Sequence, residues 1–235
     1  MTIILNETMH IRDEMVDNVS PWVWLKADTV TFPAIKEDWE NYLKPTLLKN
    51  VTDWSLCIQA GGCMGMYPKL LSFMFEEVVT LEPDSSNYNC LIANSADRNN
   101  ITSHNLALGA YKKTVELYHP FPENPGQNLI STRDRLRYSG QVSEVEMITI
   151  DSLNVASCGL IMLDIEKYEL FAILGAIKTI ETFKPVIICE YTETTNNTIN
   201  ALLAELGYAL VDKAQNDSVF KYDGTIPEKY LKRST

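Results

Sequence analysis

The sequence predicts an α/β fold, a mostly parallel sheet with helices on both faces and an antiparallel hairpin at its C-terminal edge. Three observations carry this. Short, unbroken apolar runs recur at residues 54–60, 159–164 and 185–190, as in strands buried on both faces. Stretches with helical spacing lie between them, the alternation that builds a parallel sheet. The runs also end on glycine or on a carboxylate, and ligands bind beyond that end of the strands in open α/β sheets.

The elements follow in order. Residues 1–50, with Trp22-Val23-Trp24 and an amphipathic segment at 35–48 interrupted by Pro45, are expected to be an N-terminal extension packed on a main domain at 51–235. The first strand, 54–60, runs into glycines. A helix is expected at 66–75, with Pro68 tolerable in its first turn. A strand at 77–82, a helix at 86–94 and a third strand at 100–108 come next. Residues 112–118 and 142–150 alternate apolar and polar side chains, like a half-exposed hairpin or added strands. The loop between them, 120–127, holds three prolines and a glycine. The strand at 159–164 ends in Asp164, the segment at 166–183 is helical, and the strand at 185–190 ends in Glu190. A helix at 194–206 precedes a hairpin of 208–211 and 219–222 that turns across Asn216-Asp217.

Composition excludes several classes. The 235 residues suffice for one sizeable core. A hydrophobic share of 46% rules out a wholly disordered chain. No run approaches the roughly 18 apolar residues of a membrane helix, and the start lacks the basic and apolar regions of a secretory signal, so a cytoplasmic location is expected. The net charge of −11 disfavours broad nucleic-acid binding, although a local basic patch around Arg133, Arg135 and Arg137 remains open. Cys57, Cys63, Cys90, Cys158 and Cys189 are spread singly without CxxC spacing and read as buried free thiols.

The candidate site is the turn Ala60-Gly61-Gly62-Cys63-Met64-Gly65. Glycine there permits unusual backbone angles and close approach to a ligand. Glu82 ends the next strand, where a carboxylate can accept both hydroxyls of a ribose. A dinucleotide site normally reads G-x-G-x-x-G, and Ala60 replaces its first glycine. S-adenosylmethionine sites use a looser G-x-x-x-G turn, which Gly61 and Gly65 satisfy. A tight turn beside a solvated strand end is the remaining reading.

These residues resemble a known family. Residues 57–65, then Val79-Thr80-Leu81-Glu82-Pro83-Asp84, look like the opening of the FkbM family of S-adenosylmethionine-dependent methyltransferases. Thr149-Ile150-Asp151-Ser152-Leu153, the stretch 160–169, Leu174-Gly175-Ala176 and residues 185–190 are similar to its later blocks. The resemblance spans 53–210. The Gln59-Ala60-Gly61-Gly62 opening with Met66-Tyr67-Pro68 also resembles a branch common in bacterial viruses, for which the location would be the host cytoplasm. The resemblance implies a class I methyltransferase (Rossmann-like) sheet of seven strands. It also implies S-adenosyl-L-methionine as cofactor, S-adenosyl-L-homocysteine as product, and O-methylation of a small-molecule or glycan hydroxyl. Gln59, Ala60, Gly61, Gly62, Gly65, Glu82 and Pro83 would hold the cofactor. Three departures stand out: Gln59 where the family has Asp, Met162 where it has Lys, and Lys167 where it has Gly.

In-line methyl transfer needs alignment of the acceptor, and a hydroxyl acceptor also gains from a base. Asp164 and Glu190 end successive strands and could converge. Glu166 and Glu169, three apart at a helix start, would share a face, and the helix dipole alone could account for Glu166. Asp164, Glu190 and Glu166 are the catalytic candidates, with Glu169 structural. A divalent cation between Asp164 and Glu190 is left open, because no ligand spacing identifies a metal site. His10, His104 and His119 read as lone surface histidines, His104 near the expected adenine. Trp22-Val23-Trp24 reads as an anchor for the extension rather than a stacking surface. Two other functions compete. One is an NAD-dependent oxidoreductase, weakened by Ala60 and the lack of a Tyr-x-x-x-Lys pair. The other is a silent cofactor-binding or scaffold protein, favoured by Gln59, Met162 and Lys167.

Overall fold

A computed structural model describes residues 5–130, 140–190 and 193–226; the basic patch anticipated at Arg133, Arg135 and Arg137 lies outside them. The chain begins with β1 (Met9–Arg12), β2 (Trp22–Leu25), α1 (Thr31–Asp38), a π-helical turn at Trp39–Leu43 and α2 (Lys44–Asn50). It continues with β3 (Leu56–Ala60), α3 (Met66–Leu71), β4 (Glu77–Leu81), α4 (Ser85–Ser95), β5 (Ile101–His104), β6 (Ala107–Leu108), β7 (Lys113–His119) and β8 (Gln141–Ile148). It closes with β9 (Leu160–Leu163), α5 (Glu169–Leu174), α6 (Ile177–Phe183), β10 (Val186–Glu190), α7 (Glu193–Glu205), β11 (Tyr208–Ala214) and β12 (Asp217–Tyr222).

The main sheet has seven strands in the order β11-β12-β10-β9-β3-β4-β5. The five from β10 to β5 are parallel, and β12 pairs antiparallel with both β10 and β11. Period-two alternation sorts its side chains. Cys57, Leu160, Met162 and Ile188 join a cluster with Trp22, Trp24, Trp39, Leu43 and Leu70. Leu56, Ile58, Ala60, Ile161 and Ile187 join another with Ala172, Ile173, Ile180 and Leu203. The N-terminal segment and α3 therefore cover one face, and α5, α6 and α7 the other. This explains the unbroken apolar runs.

Trp22, Val23 and Trp24 are buried, so they anchor rather than stack on a ligand. The Val23 N–H donates to Asn94 Oδ1 at 2.7 Å, and Asn94 Nδ2 donates back to the Val23 and Met64 carbonyls at 2.8 and 2.6 Å. The Trp24 indole donates to Asp28 Oδ2 at 2.6 Å, and Asp28 accepts the N–H groups of Thr31 and Phe32 at the start of α1.

Four expected elements differ. The helix expected at 66–75 stops at Leu71. Its end tightens into i→i−3 bonds, Phe73 to Leu70 at 3.2 Å and Met74 to Leu71 at 2.8 Å, which return Phe75 to the core. The strand expected at 100–108 is split. Asn105 Nδ2 binds the Glu82 and Pro83 carbonyls at 2.8 and 3.0 Å, and β6 leaves to pair with β8. With β7 these form a separate three-stranded sheet. The helix expected at 166–183 breaks at Gly175. Asp151 takes the Lys178 and Thr179 N–H groups at 3.1 and 2.9 Å, capping α6, while its own N–H binds the Gly175 carbonyl at 2.9 Å. The C-terminal strands are longer than expected, and Gln215, at φ +48°, takes the left-handed position of their turn.

Replacing Trp24 by alanine empties a fully buried site and removes the indole donor from Asp28. The expected cost is about 3–5 kcal/mol, read as a lower denaturant midpoint with an unchanged slope.

Candidate functional site

The cleft lies beyond the carboxyl ends of β3, β4, β9 and β10 and encloses about 380 Å³. α1 and the loop around Pro125 form its opposite wall. The loop is held by Thr29 N donating to the Glu123 carbonyl at 3.1 Å and by Thr31 Oγ1 donating to Asn124 Oδ1 at 3.1 Å.

The glycine turn sits at the floor. Gly61, at φ +83°, occupies the left-handed region, and a Cβ there would run into the Asp164 carbonyl. Gly65, at φ +91°, precedes α3 and packs on Leu91. Gly62 packs beneath Leu91 and Thr80. Ala60, Gly61, Glu82 and Pro83 line the cleft; Gln59, Gly62 and Gly65 stand behind it. Gln59 is 0% exposed. Its Nε2 donates to the Gly61 carbonyl at 2.9 Å and its Oε1 accepts from Thr80 Oγ1 at 2.6 Å, so its carboxamide braces the turn.

Glu82 is 4% exposed. Its Oε2 accepts the Cys63 N–H at 2.7 Å and its Oε1 the Asp84 N–H at 2.8 Å. Burial nonetheless raises its pKa to about 7. Asp84 caps α4 through the Asn87 N–H at 2.8 Å, and its Oδ2 meets His119 Nδ1 at 3.2 Å. His119 Nε2 lies 2.9 Å from Ser143 Oγ, so the reading of this histidine as a lone surface residue is corrected. It ties the three-stranded sheet to the cleft.

The other end of the cleft is acidic. Asp164, Glu166 and Glu190 all line it. Burial, with the nearby Glu190 and Asp38 charges, lifts Asp164 to about 7. Burial and the Asp164 and Glu190 charges lift Glu166 to about 8. Glu190 is raised by burial and partly offset by Lys167. Glu166, at φ +53°, precedes α5 instead of starting a helix, so it shares no helical face with Glu169. Lys167 follows at φ +74°, a backbone state that favours the glycine of the resembling family. Glu169 is buried, accepting the Ile165 and Lys167 N–H groups at 3.1 and 3.2 Å. Met162 is packed in the core.

Sequence reasoning missed Asp38, Tyr67 and Asp217, which also line the cleft. Tyr67 donates to Asp38 Oδ2 at 2.7 Å, and burial raises both pKa values. Asp217 pairs in register with Glu190, and burial beside Asp164 and Asp38 pushes its pKa up. Only the strand ending in Glu190, opposite a predicted hairpin, signalled any of these. Among the described residues, no three His, Cys, Asp or Glu are arranged to hold a metal ion. Nor is any helix among them long and apolar enough to cross a membrane.

The model of the methyltransferase FkbM domain matches residues 70–210. The chain belongs to the FkbM methyltransferase family. The match begins after the glycine turn and takes in Glu82, Asp164 and Glu190. Among solved structures, this FkbM chain is similar to the methyltransferase FkbM from Methylobacillus flagellatus KT, at 19% identity and a TM-score of 0.55. The alignment covers 78% of this chain and 47% of that one, so the chain spans about half the length of that relative. A ribosomal protein L11 methylase from Lactobacillus delbrueckii subsp. bulgaricus matches at 10% identity and a TM-score of 0.46, over 76% of this chain and 75% of that one. No curated protein matches the sequence.

The raised carboxyls make stability depend on pH. Each of Glu82, Glu166 and Glu169 binds its proton more tightly folded, at about 7, 8 and 7, than at the usual 4.5. Their stabilising contribution is full below about 4.5 and is lost as pH rises through 7–8. The thermal midpoint of the ligand-free FkbM chain is expected to fall between pH 5 and 8, and less steeply in Glu166→Gln. A midpoint that rises over this range contradicts the site's electrostatics.

Proposed function

We propose that this chain is an S-adenosylmethionine-dependent methyltransferase that methylates a hydroxyl of a sugar or sugar-containing metabolite. The observation that supports it most is Glu82, a buried carboxylate at the end of β4 that lines the cleft beside the glycine turn. Three further features fit the cofactor. The bend at Gly61 brings backbone where a Cβ would clash. Pro83, Leu106, Leu108 and Leu117 supply apolar wall for an adenine. The carboxylates of Asp38, Asp164, Glu190 and Asp217 suit a ligand carrying a sulfonium and an ammonium.

When bound, the cofactor supplies an electrophilic methyl group for in-line displacement. The chain's own residues then have two tasks. One is alignment, for which the rigid strand ends of β9 and β10 are suited. The other is removal of the hydroxyl proton. Asp164, with a pKa of about 7, is matched to a general base near neutral pH. Glu166, higher still at about 8, would hold its proton and orient the acceptor as a donor. The choice of a hydroxyl on a sugar rests on the resemblance to the family.

A cofactor-binding protein without turnover is the second reading. It is favoured by Met162, whose buried side chain places no amine beside Asp164. One assay separates the two. The purified chain is incubated with methyl-labelled S-adenosylmethionine and with carbohydrate, lipid and nucleic-acid fractions. Label is expected in the carbohydrate-containing fraction, and Asp164→Asn is expected to lower transfer by about 10²-fold or more while S-adenosylhomocysteine still binds. Cofactor binding with no label in any fraction supports the silent protein instead. Binding of NAD but not of S-adenosylhomocysteine overturns both.

A further inference from the structure

α1 forms one wall of the cleft and is pinned to it at both ends. At its start, Thr31 Oγ1 donates to Asn124 Oδ1 at 3.1 Å; at its end, Asp38 Oδ2 accepts from the Tyr67 hydroxyl at 2.7 Å. Its eight residues span about 12 Å. Phe32 turns into the core, edge-on to Trp24 with ring centroids 4.9 Å apart, and Trp39 just beyond the helix is buried as well. Val30, Ala34 and Asp38 recur every fourth residue and so share another face, with Ile35 next to Ala34. All four line the cleft. Val30 is 43% exposed, Ala34 is exposed and Ile35 is half-buried. The helix therefore turns an accessible apolar stripe towards the cleft, and the stripe ends at a carboxylate.

We propose that Val30, Ala34 and Ile35 form an acceptor subsite, which selects a sugar carrying an apolar substituent, an alkyl or aryl glycoside, over the free sugar. The inference rests on the methyltransferase reading above and names the acceptor for that same cleft. The cofactor does not call on this stripe. Its ribose belongs to Glu82, its adenine to the wall of Pro83, Leu106, Leu108 and Leu117, and its tail to the Gly61 turn. α1 also lies outside the residues 70–210 matched by the family model. A free sugar presents hydroxyls in every direction. Those turned towards the stripe would trade water for side chains that neither donate nor accept, at a cost in free energy. An apolar substituent gains from the same contact, about tenfold in affinity for every two methylenes buried. With that group against α1, the sugar reaches across the cleft to Asp164 and Glu190 at the strand ends, where the proton is to be removed.

The test supplies methyl-labelled S-adenosylmethionine with the hexyl glycosides of glucose, galactose, mannose and rhamnose, each beside its free sugar. For at least one pair, kcat/KM for the hexyl glycoside is expected to exceed that for the free sugar about tenfold or more. In the double variant Val30→Asn, Ile35→Gln this ratio is expected to fall towards one, while calorimetry shows S-adenosylhomocysteine bound as in the wild type. Val30 is the N-cap of α1, a position that favours asparagine, so the helix is retained. Free sugars methylated as well as their hexyl glycosides, or a ratio unchanged in the variant, overturn the assignment. Weakened S-adenosylhomocysteine binding in the variant places the stripe on the cofactor and overturns it too. A wild-type chain that binds S-adenosylhomocysteine but labels no probe overturns the sugar acceptor beneath the proposal, and the subsite with it. Should the double variant fail to fold, Ala34→Gln, at an exposed position, tests the same ratio.

Discussion

The structure of the cleft depends on one buried carboxylate held by two backbone amides. Glu82 directly follows β4 with each oxygen on an N–H, from Cys63 in the glycine turn and from Asp84 at the cap of α4. Those bonds fasten the β3–α3 turn to the β4–α4 turn. They also fix the carboxylate at the wall of the cleft, where rotation would cost both bonds. Burial opposes its ionisation and the amides favour it, which leaves the group near neutrality. A ligand that offers hydrogen-bond donors to this carboxylate completes what the amides begin.

Around this point the chain gathers carboxylates from distant segments. Asp38 comes from α1, Asp164 and Glu190 from adjacent strand ends, and Asp217 from the first residue of β12. In low-dielectric surroundings such groups raise one another's pKa. A cationic ligand relieves that repulsion, so affinity for the proposed cofactor and the ligand-free electrostatics are two sides of one effect. α1, whose start is fixed by the Asp28 cap and whose neighbour β2 is anchored by Asn94, adds Asp38 and with Tyr67 shapes one wall.

Much of the fold was legible because it rests on local patterns. Strands buried on both faces leave unbroken apolar runs, and a turn that tolerates no Cβ leaves glycine, as at Gly61. The misreadings come from side chains acting over long range. Asp151 ends one helix and begins another by capping α6, although periodicity alone runs through 166–183. Asn105 cuts a strand in two by binding carbonyls near the end of β4. Asp38, Tyr67, Asn87 and Asp217 reach the cleft through tertiary packing, which no spacing along the chain encodes. Glu166 shows the limit from the other side: its place in the cleft was anticipated, but its left-handed backbone was not.

The most direct measurement is a crystal structure of the chain with S-adenosylhomocysteine bound. The account predicts the adenosyl group in this cleft, with a ribose hydroxyl about 2.5–3.0 Å from a Glu82 oxygen and the tail crossing Gly61. A ligand seated elsewhere, or a ribose out of reach of Glu82, would contradict it.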